Sequence, residues 1–341
     1  MNKLGILMDD RYFDHAIEPH SLENPQRLRG LFPLVQERYK GAFEAVIPRE
    51  ACFEEIEQVH SRFYISQVRE HAVKPNPFSY DRDTYLMDQS LATAQLAAGG
   101  CLEMADRVMD GSIRNGFALI RPPGHHAEPG RGMGFCVFNN IAITAKYLQA
   151  HYQLSRILIL DFDIHHGNGT QEVFYDSDKV LFISVHQKGL FPCSGTPTEI
   201  GEGPGRGYTI NIPVHSFFGD TEYTFLFGKL LNNVVEQYMP QIILVSAGYD
   251  GHNNDSISAT TLTSQWYHTV TTMLKQCARD ICGDRLIYFL EGGYNPESLA
   301  ESVLATIDSL LAPEQPRVGI FHSKRAQALF HHHPLNEFWT L

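Results

Sequence analysis

The sequence predicts an α/β protein built on an open, mainly parallel β-sheet with helices on both faces. Seven short runs rich in Ile, Val, Leu and Phe recur along the chain, and their continuous apolarity is typical of strands buried on both faces of a parallel sheet. Helical stretches separate several of these runs. No repeat or linker divides the chain, so we expect a single domain over residues 1–341.

The predicted strands lie, in chain order, at residues 4–8, 116–121, 156–163, 179–186, 208–214, 241–250 and 285–294. The predicted helices lie at residues 90–111, 139–152, 222–240, 263–280 and 295–312. Gly111 and Pro240 mark two helix ends, because glycine favours the position after the last helical residue and proline cannot continue a helix. Long irregular stretches remain at 9–24, 72–88, 122–138, 187–207 and 251–260. Such loops usually carry function, and ligands in open α/β sheets bind beyond the carboxyl ends of strands.

Composition and charge argue against several classes of protein. With 27 Lys and Arg against 39 Asp and Glu, the formal net charge is −12, which disfavours broad electrostatic binding to DNA or anionic membranes. No signal-peptide pattern or run of about 18 apolar residues is present, so we expect a cytoplasmic protein. The six cysteines form no CxxC pair, which argues against a disulfide framework and a thiolate zinc site.

The end of the third predicted strand, ILDFDIHHGNGT, is dense in titratable side chains. Asp161, Asp163 and His165 alternate, so an extended backbone turns all three to one side. A carboxylate and an imidazole two residues apart form half of a metal site with oxygen and nitrogen ligands. Asp250, at the end of another apolar strand, is the best third ligand, because an unpaired carboxylate would be costly there. Ion pairing with a nearby Arg or Lys is the alternative; it is favoured for an isolated Asp-x-His but not for this combination.

Two further motifs follow predicted strands. PGHHAE supplies the adjacent imidazoles of His125 and His126, which a turn can present to one cavity. Imidazoles titrate nearest neutral pH and suit acid/base catalysis. In LEGGY, Tyr294 follows two glycines and could donate a hydrogen bond to a developing oxyanion. Taken singly, each motif is more often structural, as a solvated histidine pair or a buried tyrosine.

Other candidate motifs are weaker. GEGPGRG runs into a strand rather than a helix, so a flexible loop is favoured over a phosphate site. No G-x-S-x-G motif supplies a serine nucleophile. The HHH run at residues 331–333 is interpreted as a solvated surface segment.

In this order the motifs resemble those of the zinc-dependent histone deacetylases and acetylpolyamine amidohydrolases, which share the arginase/deacetylase fold: RPPGHHAE, GFCVFNN, ILDFDIHHGNGT, ISVHQKGLFP, GEGPGRGYTINIPV, SAGYD and LEGGY. The likeness spans most of residues 9–300 and is nearest to the class II and bacterial deacetylase-like branch. It implies one deacetylase domain with long active-site loops at the carboxyl ends of the strands. It also implies removal of acetyl or another short acyl group from a lysine-like amine.

The resemblance implies a catalytic zinc ion bound by Asp163, His165 and Asp250, with one position left open. His126 would act as general base and then as acid toward the leaving amine. His125 would give mainly electrostatic help.

The remaining implied roles concern the oxyanion, the substrate and a structural ion. Asp161 would hold His125, and Tyr294 would complete the oxyanion site. Phe135 and Phe191 would form the walls of a narrow tunnel, lined near the metal by the backbone of Gly134. A structural K⁺ ion would be bound by Asp161, Ser184, Val185 and the backbone of Asp163 and His165.

Two positions bear on activity. Where some family members have an Asp that orients the second histidine, this chain has Asn168, and a neutral partner should leave the imidazolium less stabilised and its pKa lower. Tyr294 is retained, whereas family members with His at that position deacetylate acetyl-lysine poorly.

Substrate choice is predicted from the loop after Asp250. Polyamine deacetylases of this branch place a Glu near the tunnel mouth, where this chain has Ile257. An apolar group there does not attract an internal ammonium, so an acyl-lysine peptide or protein is favoured over an acetylpolyamine. Asp83 resembles the rim acid that holds a substrate backbone. We expect no direct nucleic-acid or membrane partner, and the sequence is compatible with a homo-oligomer.

Three alternatives stay open. The first is an acetylpolyamine amidohydrolase on the same fold. The second is an arginase-like hydrolase, which would need further carboxylates to bridge a second metal ion, with Asp255 as a possible contributor. The third is a non-catalytic acyl-lysine binder, against which the intact His126 and Tyr294 speak.

Overall fold

The computed structural model describes residues 3–16, 21–74, 77–313 and 316–340. Parts of the irregular stretches predicted at 9–24 and 72–88 therefore lie outside the described residues. Within the described part of the chain, no helix combines the length and the apolarity that crossing a bilayer requires.

The strands form one eight-stranded sheet, in the order β2-β1-β5-β10-β9-β6-β7-β8, and one two-stranded hairpin of β3 and β4. Each of the seven predicted apolar runs overlaps a strand, and the pairings β1–β2, β1–β5, β6–β7, β6–β9 and β7–β8 are all parallel. The predicted fold class is confirmed. The strands are β1 (Leu4–Leu7), β2 (Phe43–Val46), β3 (Phe78–Ser79), β4 (Tyr85–Leu86), β5 (Asn115–Ala118), β6 (Ile157–Asp161), β7 (Val180–Gln187), β8 (Thr209–Val214), β9 (Ile242–Ala247) and β10 (Leu286–Leu290).

The helices include all five that the sequence predicts. One differs in detail, because the predicted helix at 222–240 contains a π-helical segment, Leu230–Val235, between α8 and α9. The helices are α1 (Gln26–Arg29), α2 (Leu31–Arg38), α3 (Phe53–Ile56), α4 (Arg62–Ala72), α5 (Ser90–Met109), α6 (Asn140–Tyr152), α7 (Asn168–Phe174), α8 (Asp220–Lys229), α9 (Glu236–Tyr238), α10 (Ser264–Cys282), α11 (Pro296–Leu311) and α12 (Lys324–Ala328).

The first of two structural units comprises Met1–Leu154, Gly167–Val173 and Ile287–Gly292. Its strands β1 and β5 are buried along their whole length, as continuous apolar runs require. Helix α5 begins at Ser90 and packs tightly: a Cβ at Gly99 would lie 2.2 Å from the Arg49 carbonyl oxygen. This position therefore accepts only glycine.

The second unit comprises Ser155–His166, Phe174–Leu286 and Gly293–Leu341. Its strands β6, β7 and β9 are buried at every position. Phe162 points away from the acidic residues on either side of it and packs against aromatic rings, with centroids 5.7 Å from Trp266 and 6.3 Å from Tyr249. The alternation predicted after β6 thus places an aromatic core on one side of the chain and carboxylates on the other.

Candidate active site

The candidate metal ligands lie beyond the carboxyl ends of two neighbouring strands of the second unit. Strands β6 and β9 run parallel, with Asp161 paired to Ser246, so the segments after them leave the sheet at the same edge. Asp163, His165 and Asp250 offer ligand atoms that all lie within 4.8 Å of one another. Nδ1 of His165 lies 3.1 Å from Asp163 Oδ1 and 3.0 Å from Asp250 Oδ2. The fold thus brings the three predicted residues together.

The cluster sets two carboxylates, those of Asp163 and Asp250, against the one imidazole of His165. Asp163 and Asp250 are buried, with 1% and 0% exposure, and buried carboxylates are costly without compensation. Asp250 Oδ1 accepts a hydrogen bond from the Ile164 amide at 3.1 Å, whereas Oδ2 lies against His165 Nδ1 and makes no well-aligned hydrogen bond to a described residue. The single Nδ1 of His165 faces both carboxylates and cannot donate one proton to two acceptors equally well.

The pKa values of Asp250 and His165 reflect the excess of carboxylates in this cluster. Burial raises the pKa of Asp250, and the nearby charge of Asp163 raises it further. Burial alone would lower the pKa of His165, but the two carboxylates outweigh it and raise that pKa to about 10. Two carboxylates and one imidazole form a donor set that Zn²⁺ prefers. The residues present therefore fit a zinc ion, which would replace the proton that His165 otherwise attracts.

A candidate site for K⁺ lies where β6 ends beside β7. The parallel register pairs Asp161 with Ser184, and Val185 follows on β7. His186 Nε2 lies 3.0 Å from the Gly195 carbonyl oxygen, which can only accept, so Nε2 carries the proton. Burial holds the pKa of His186 well below its usual value, so Nδ1 accepts from the Ser184 hydroxyl at 2.9 Å. The lone pairs of Ser184 Oγ then stay available to a cation.

The predicted histidine pair lies in the first unit. The ring centroids of His125 and His126 are 4.0 Å apart, and both side chains are buried. Glu291 Oε2 holds the turn by accepting hydrogen bonds from the amides of Gly124 at 2.7 Å and His125 at 3.2 Å. The His125 carbonyl oxygen accepts from the Thr170 amide at 3.2 Å. The alternative of a solvated loop pair is therefore wrong.

Asn168 determines the tautomer of His126. Its Nδ2 donates to Glu128 Oε1 at 2.8 Å, and Glu128 is in turn held by Arg131 Nε at 2.6 Å. A carboxylate can only accept, so the amide group of Asn168 must face Glu128 and Oδ1 must face His126. His126 Nδ1 lies 2.8 Å from that Oδ1 and must donate to it. The neutral imidazole therefore carries its lone pair on Nε2, as a general base requires.

Tyr294 is half-buried in the second unit, and its backbone is held by Asp255. Oδ2 of Asp255 accepts hydrogen bonds from the amides of Tyr294 at 2.6 Å and Asn295 at 3.1 Å, while Oδ1 accepts from Ile257 at 3.3 Å. Both oxygens are thus engaged by backbone amides. Within the described ranges, the Asp163 cluster is the single group suited to a metal ion. These contacts weigh against Asp255 as the ligand of a second ion.

The predicted tunnel residues of the first unit are fixed by the turn between β3 and β4. Gly134 and Phe135 both have positive φ, 55° and 68°, which is uncommon for phenylalanine. The Gly134 amide donates to Asp81 Oδ2 at 3.2 Å, and the Phe135 amide donates to Thr84 Oγ1 at 2.9 Å. Asp83, in the same turn, is largely exposed to solvent. The part of its carboxyl group that is covered loses hydration, and this raises its pKa. This carboxylate remains accessible from solvent, as a rim acid must be.

The second unit contributes one predicted tunnel-wall residue, Phe191, and one predicted rim residue, Ile257, and both are accessible. Phe191 is 43% exposed, and Ile257 is half-buried. Gln187 Oε1 accepts a hydrogen bond from the Ala259 amide at 2.8 Å, which ties the loop carrying Ile257 to the end of β7.

Two interpretations from the sequence need comment. His331 and His332 are exposed as expected, but a solvated role for His333 is wrong: it is buried, and its Nε2 lies 2.8 Å from the Asn211 carbonyl oxygen. The GEGPGRG segment contains a short 3₁₀ turn, and a Cβ at Gly205 would lie 2.5 Å from the Tyr175 carbonyl oxygen. Close backbone packing explains this glycine without a phosphate.

The sequence did not predict several supporting residues, namely Asp81, Thr84, Glu128, Asp255 and Glu291. Two of them stand inside motifs, because Glu128 ends HHAE and Glu291 lies in LEGGY. Their positions within these motifs could have identified them from the sequence. Their partners were not visible, because the contacts join segments far apart in the chain.

Comparisons with known proteins point to one family. The family model described as histone deacetylase domain matches residues 21–310. A probable deacetylase of Archaeoglobus fulgidus is 39% identical over 86% of this chain and 82% of its own length. Histone deacetylase HDA1 of Candida albicans is 36% identical over 96% of this chain, which spans only 43% of that relative. The solved structure of the HDA15 HD domain superposes with a TM-score of 0.88 at 32% identity, covering 96% of this chain and 92% of that one.

Proposed function

The chain belongs to the histone deacetylase family, whose members hydrolyse amide bonds, and on that premise we propose that it is a zinc-dependent deacylase. Its substrate would be the amide of acetyl-lysine, or of another short acyl-lysine, in a peptide or protein. The observation that carries the proposal is the buried cluster of Asp163, His165 and Asp250. We assign the activity to one deacetylase domain over residues 1–341, in a cytoplasmic protein.

The ions have defined places in this proposal. Asp163, His165 and Asp250 would hold Zn²⁺, which supplies Lewis acidity that polarises the substrate carbonyl and lowers the pKa of a water molecule. Asp161 and Ser184, with backbone oxygens of the neighbouring segments, would hold a structural K⁺. The hydroxyl orientation imposed on Ser184 by His186 supports this assignment.

His126 would transfer the proton. Its Nδ1 donates to Asn168, so Nε2 can take a proton from the attacking water and pass it to the leaving nitrogen. Asn168 is neutral, which stabilises the imidazolium less than a carboxylate would, but its contact with Glu128 orients it. His125, with its ring against that of His126, would add electrostatic support, with Asp161 as its partner.

Tyr294 would donate a hydrogen bond to the oxygen that gains negative charge when the substrate carbonyl is attacked. Phe135 and Phe191 would pack against the methylene chain of the acylated lysine. Asp83 would bind the substrate backbone, since its carboxylate is exposed. These roles need an extended substrate, and the net charge of −12 favours one that carries positive charge.

The rival functions receive less support. Ile257 supplies no charge for the internal ammonium of an acetylpolyamine. An arginase-like hydrolase needs a second ion, and the oxygens of Asp255 are engaged by backbone amides. A reader without catalysis would not need the tautomer that Asn168 imposes on His126.

The test is hydrolysis of a fluorogenic acetyl-lysine peptide by the protein as isolated, after chelation and after zinc is restored. We expect chelation to lower kcat/KM by at least about a hundredfold, because the metal contributes several kcal/mol to catalysis. One equivalent of Zn²⁺ per chain should restore the rate. Full turnover in metal-free protein would refute the zinc mechanism. Two ions per chain would favour the arginase-like hydrolase, preference for acetylspermidine the polyamine deacetylase, and peptide binding without turnover the reader.

A further inference from the structure

The loop that follows the third candidate metal ligand is tied down by many hydrogen bonds. It runs from Asp250 in the second unit, and it is closed by a bridge between His252 and Leu262. The Thr260 hydroxyl donates to the Gly251 carbonyl oxygen at 2.8 Å. The amide of Asp255 donates to the His252 carbonyl oxygen at 2.8 Å. This scaffold holds the Asp255 carboxylate in a defined place five residues after Asp250.

The Asp255 carboxylate is buried, with 5% exposure, and its hydrogen-bond partners among the described residues are backbone amides. Oδ2 accepts from the consecutive amides of Tyr294 and Asn295. Oδ1 accepts from the amide of Ile257. Burying a carboxylate is costly, and several N–H donors that favour its charged form offset that cost. One carboxylate therefore joins three backbone positions in two segments.

The two segments carry different proposed functions. Tyr294 lies between Gly293, whose φ is 117°, and Asn295, whose side chain caps α11 by accepting from the amides of Glu297 and Ser298. Asn295 Nδ2 also donates to the Asn254 carbonyl oxygen at 3.1 Å. Gly293 gives the backbone before Tyr294 a wide choice of conformations. The hydrogen bond that fixes the Tyr294 amide therefore helps to fix the position of the Tyr294 side chain.

We propose that Asp255 is a positioning residue that fixes both Tyr294, the proposed oxyanion donor, and Ile257, the proposed rim residue. The proposal rests on the deacylase function proposed above. Through Asp255, the loop that begins at the metal ligand Asp250 sets the placement of the hydroxyl donor and of the substrate rim together. No bond is made or broken by Asp255.

Two substitutions of Asp255 distinguish its contact with the Tyr294 and Asn295 amides from its contact with the Ile257 amide. Asp255→Ala removes all three acceptor contacts. In Asp255→Asn, the side-chain oxygen can still accept from the paired amides of Tyr294 and Asn295, whereas the new NH₂ group faces the Ile257 amide as donor against donor. The Asn variant should therefore keep Tyr294 in place and release Ile257. Asp220→Asn is the matched control, because Asp220 also fastens a loop of this unit, accepting from the Thr263 amide at 2.9 Å.

The experiment measures kcat and KM on an acyl-lysine peptide, together with zinc content, for these variants and for Tyr294→Phe. We expect Tyr294→Phe to lower kcat at least about tenfold, as loss of one oxyanion donor does. Asp255→Ala should lower kcat by about tenfold, because the interaction lost through Tyr294 acts only in the transition state, and should raise KM by about threefold, because it also releases Ile257. In the Tyr294→Phe background the same change should cost less than about twofold. Asp255→Asn should mainly raise KM, by about threefold.

The outcomes that overturn the proposal are specific. They are wild-type kcat in Asp255→Ala, or independent, multiplying effects of Asp255→Ala and Tyr294→Phe. Amide hydrogen exchange at Tyr294 and Asn295 adds a readout that needs no activity: Asp255→Ala should speed it at least about tenfold, and Asp220→Asn should not. If the wild-type protein hydrolyses no acyl-lysine peptide, the proposed function fails, and unchanged exchange in Asp255→Ala would also overturn the positioning role.

Discussion

The two units each bury an ionic cluster, and the clusters differ in charge balance. In the first unit, Glu23 faces two guanidinium groups, with Arg121 contacts of 2.5 and 2.7 Å and an Arg27 contact of 3.0 Å. Burial alone would raise the pKa of Glu23, but Arg121 and then Arg27 outweigh it and lower that pKa to about 2. The carboxylate is fully neutralised by the protein, which identifies this cluster as structural.

In the second unit the balance is reversed, because Asp163 and Asp250 share one imidazole, that of His165. The pKa of His165 rises to about 10 and that of Asp250 is raised, so the cluster attracts positive charge. The carboxylates of both clusters are buried, with exposures of 0% for Glu23, 1% for Asp163 and 0% for Asp250. Burial of ionisable groups therefore does not by itself mark a metal site, whereas an excess of carboxylates among converging donor atoms points to one.

The largest expected effect is that of Asp250→Asn. The substitution keeps an acceptor for the Ile164 amide but removes the charge of a proposed metal ligand, so zinc should be lost and kcat/KM should fall at least about a thousandfold. Metal-free variant protein should be at least as stable as metal-free wild type, because two like charges no longer oppose each other. Elemental analysis, peptide kinetics and thermal unfolding with chelator measure these properties. A variant that retained one zinc per chain would place the third ligand elsewhere.

Glu23→Gln should lower stability and leave zinc binding unchanged, which is the opposite of what we expect for Asp250→Asn. It leaves the guanidinium groups of Arg121 and Arg27 buried without their carboxylate, so we expect the free energy of unfolding to fall by about 3–5 kcal/mol. Zinc content should stay at one ion per chain. The matched control is Glu57→Gln, whose partner Arg62 is exposed, and there we expect a loss of at most about 1 kcal/mol. Equal losses in the two variants, measured by denaturant unfolding, would remove the distinction between the clusters.

The sequence predicted one of these clusters much better than the other. Asp163, His165 and Asp250 follow two strongly apolar strands, and strand ends on one sheet edge converge by topology. Glu23 and Arg121 lie 98 positions apart, and neither shows a local pattern. Likewise β2, Phe43–Val46, was missed because only its last residue is buried, so it lacks a continuous apolar run.

The contacts that orient the proposed catalytic side chains could not be predicted from the sequence either. The sequence shows that Asn168 is a neutral substitute, but its hydrogen bond to Glu128 spans 40 positions, and the tautomer of His126 follows only from that bond. The sequence suggests Asp255 as a possible ligand of a second metal ion, whereas its contact with Tyr294 spans 39 positions. Such roles depend on which lone pair faces which N–H, and that is settled by packing rather than by residue type.

The smallest expected effect is a pH dependence of stability in the first unit. We attribute it to buried histidines and not to Glu23. Burial lowers the pKa values of His15 and His60 to about 4, below the value of about 6.5 in an unfolded chain. The unfolded state therefore binds more protons below pH 6.5, and stability falls as the pH drops from 6.5 toward 4. The lowered pKa of Glu23 affects stability only between pH 4.5 and about 2.

With chelator present, each histidine should lower the free energy of unfolding by about 1 kcal/mol between pH 7.5 and 5.5. Denaturant unfolding of His15→Asn should show a shallower loss than wild type, and identical slopes would contradict the assignment of acid sensitivity to these imidazoles.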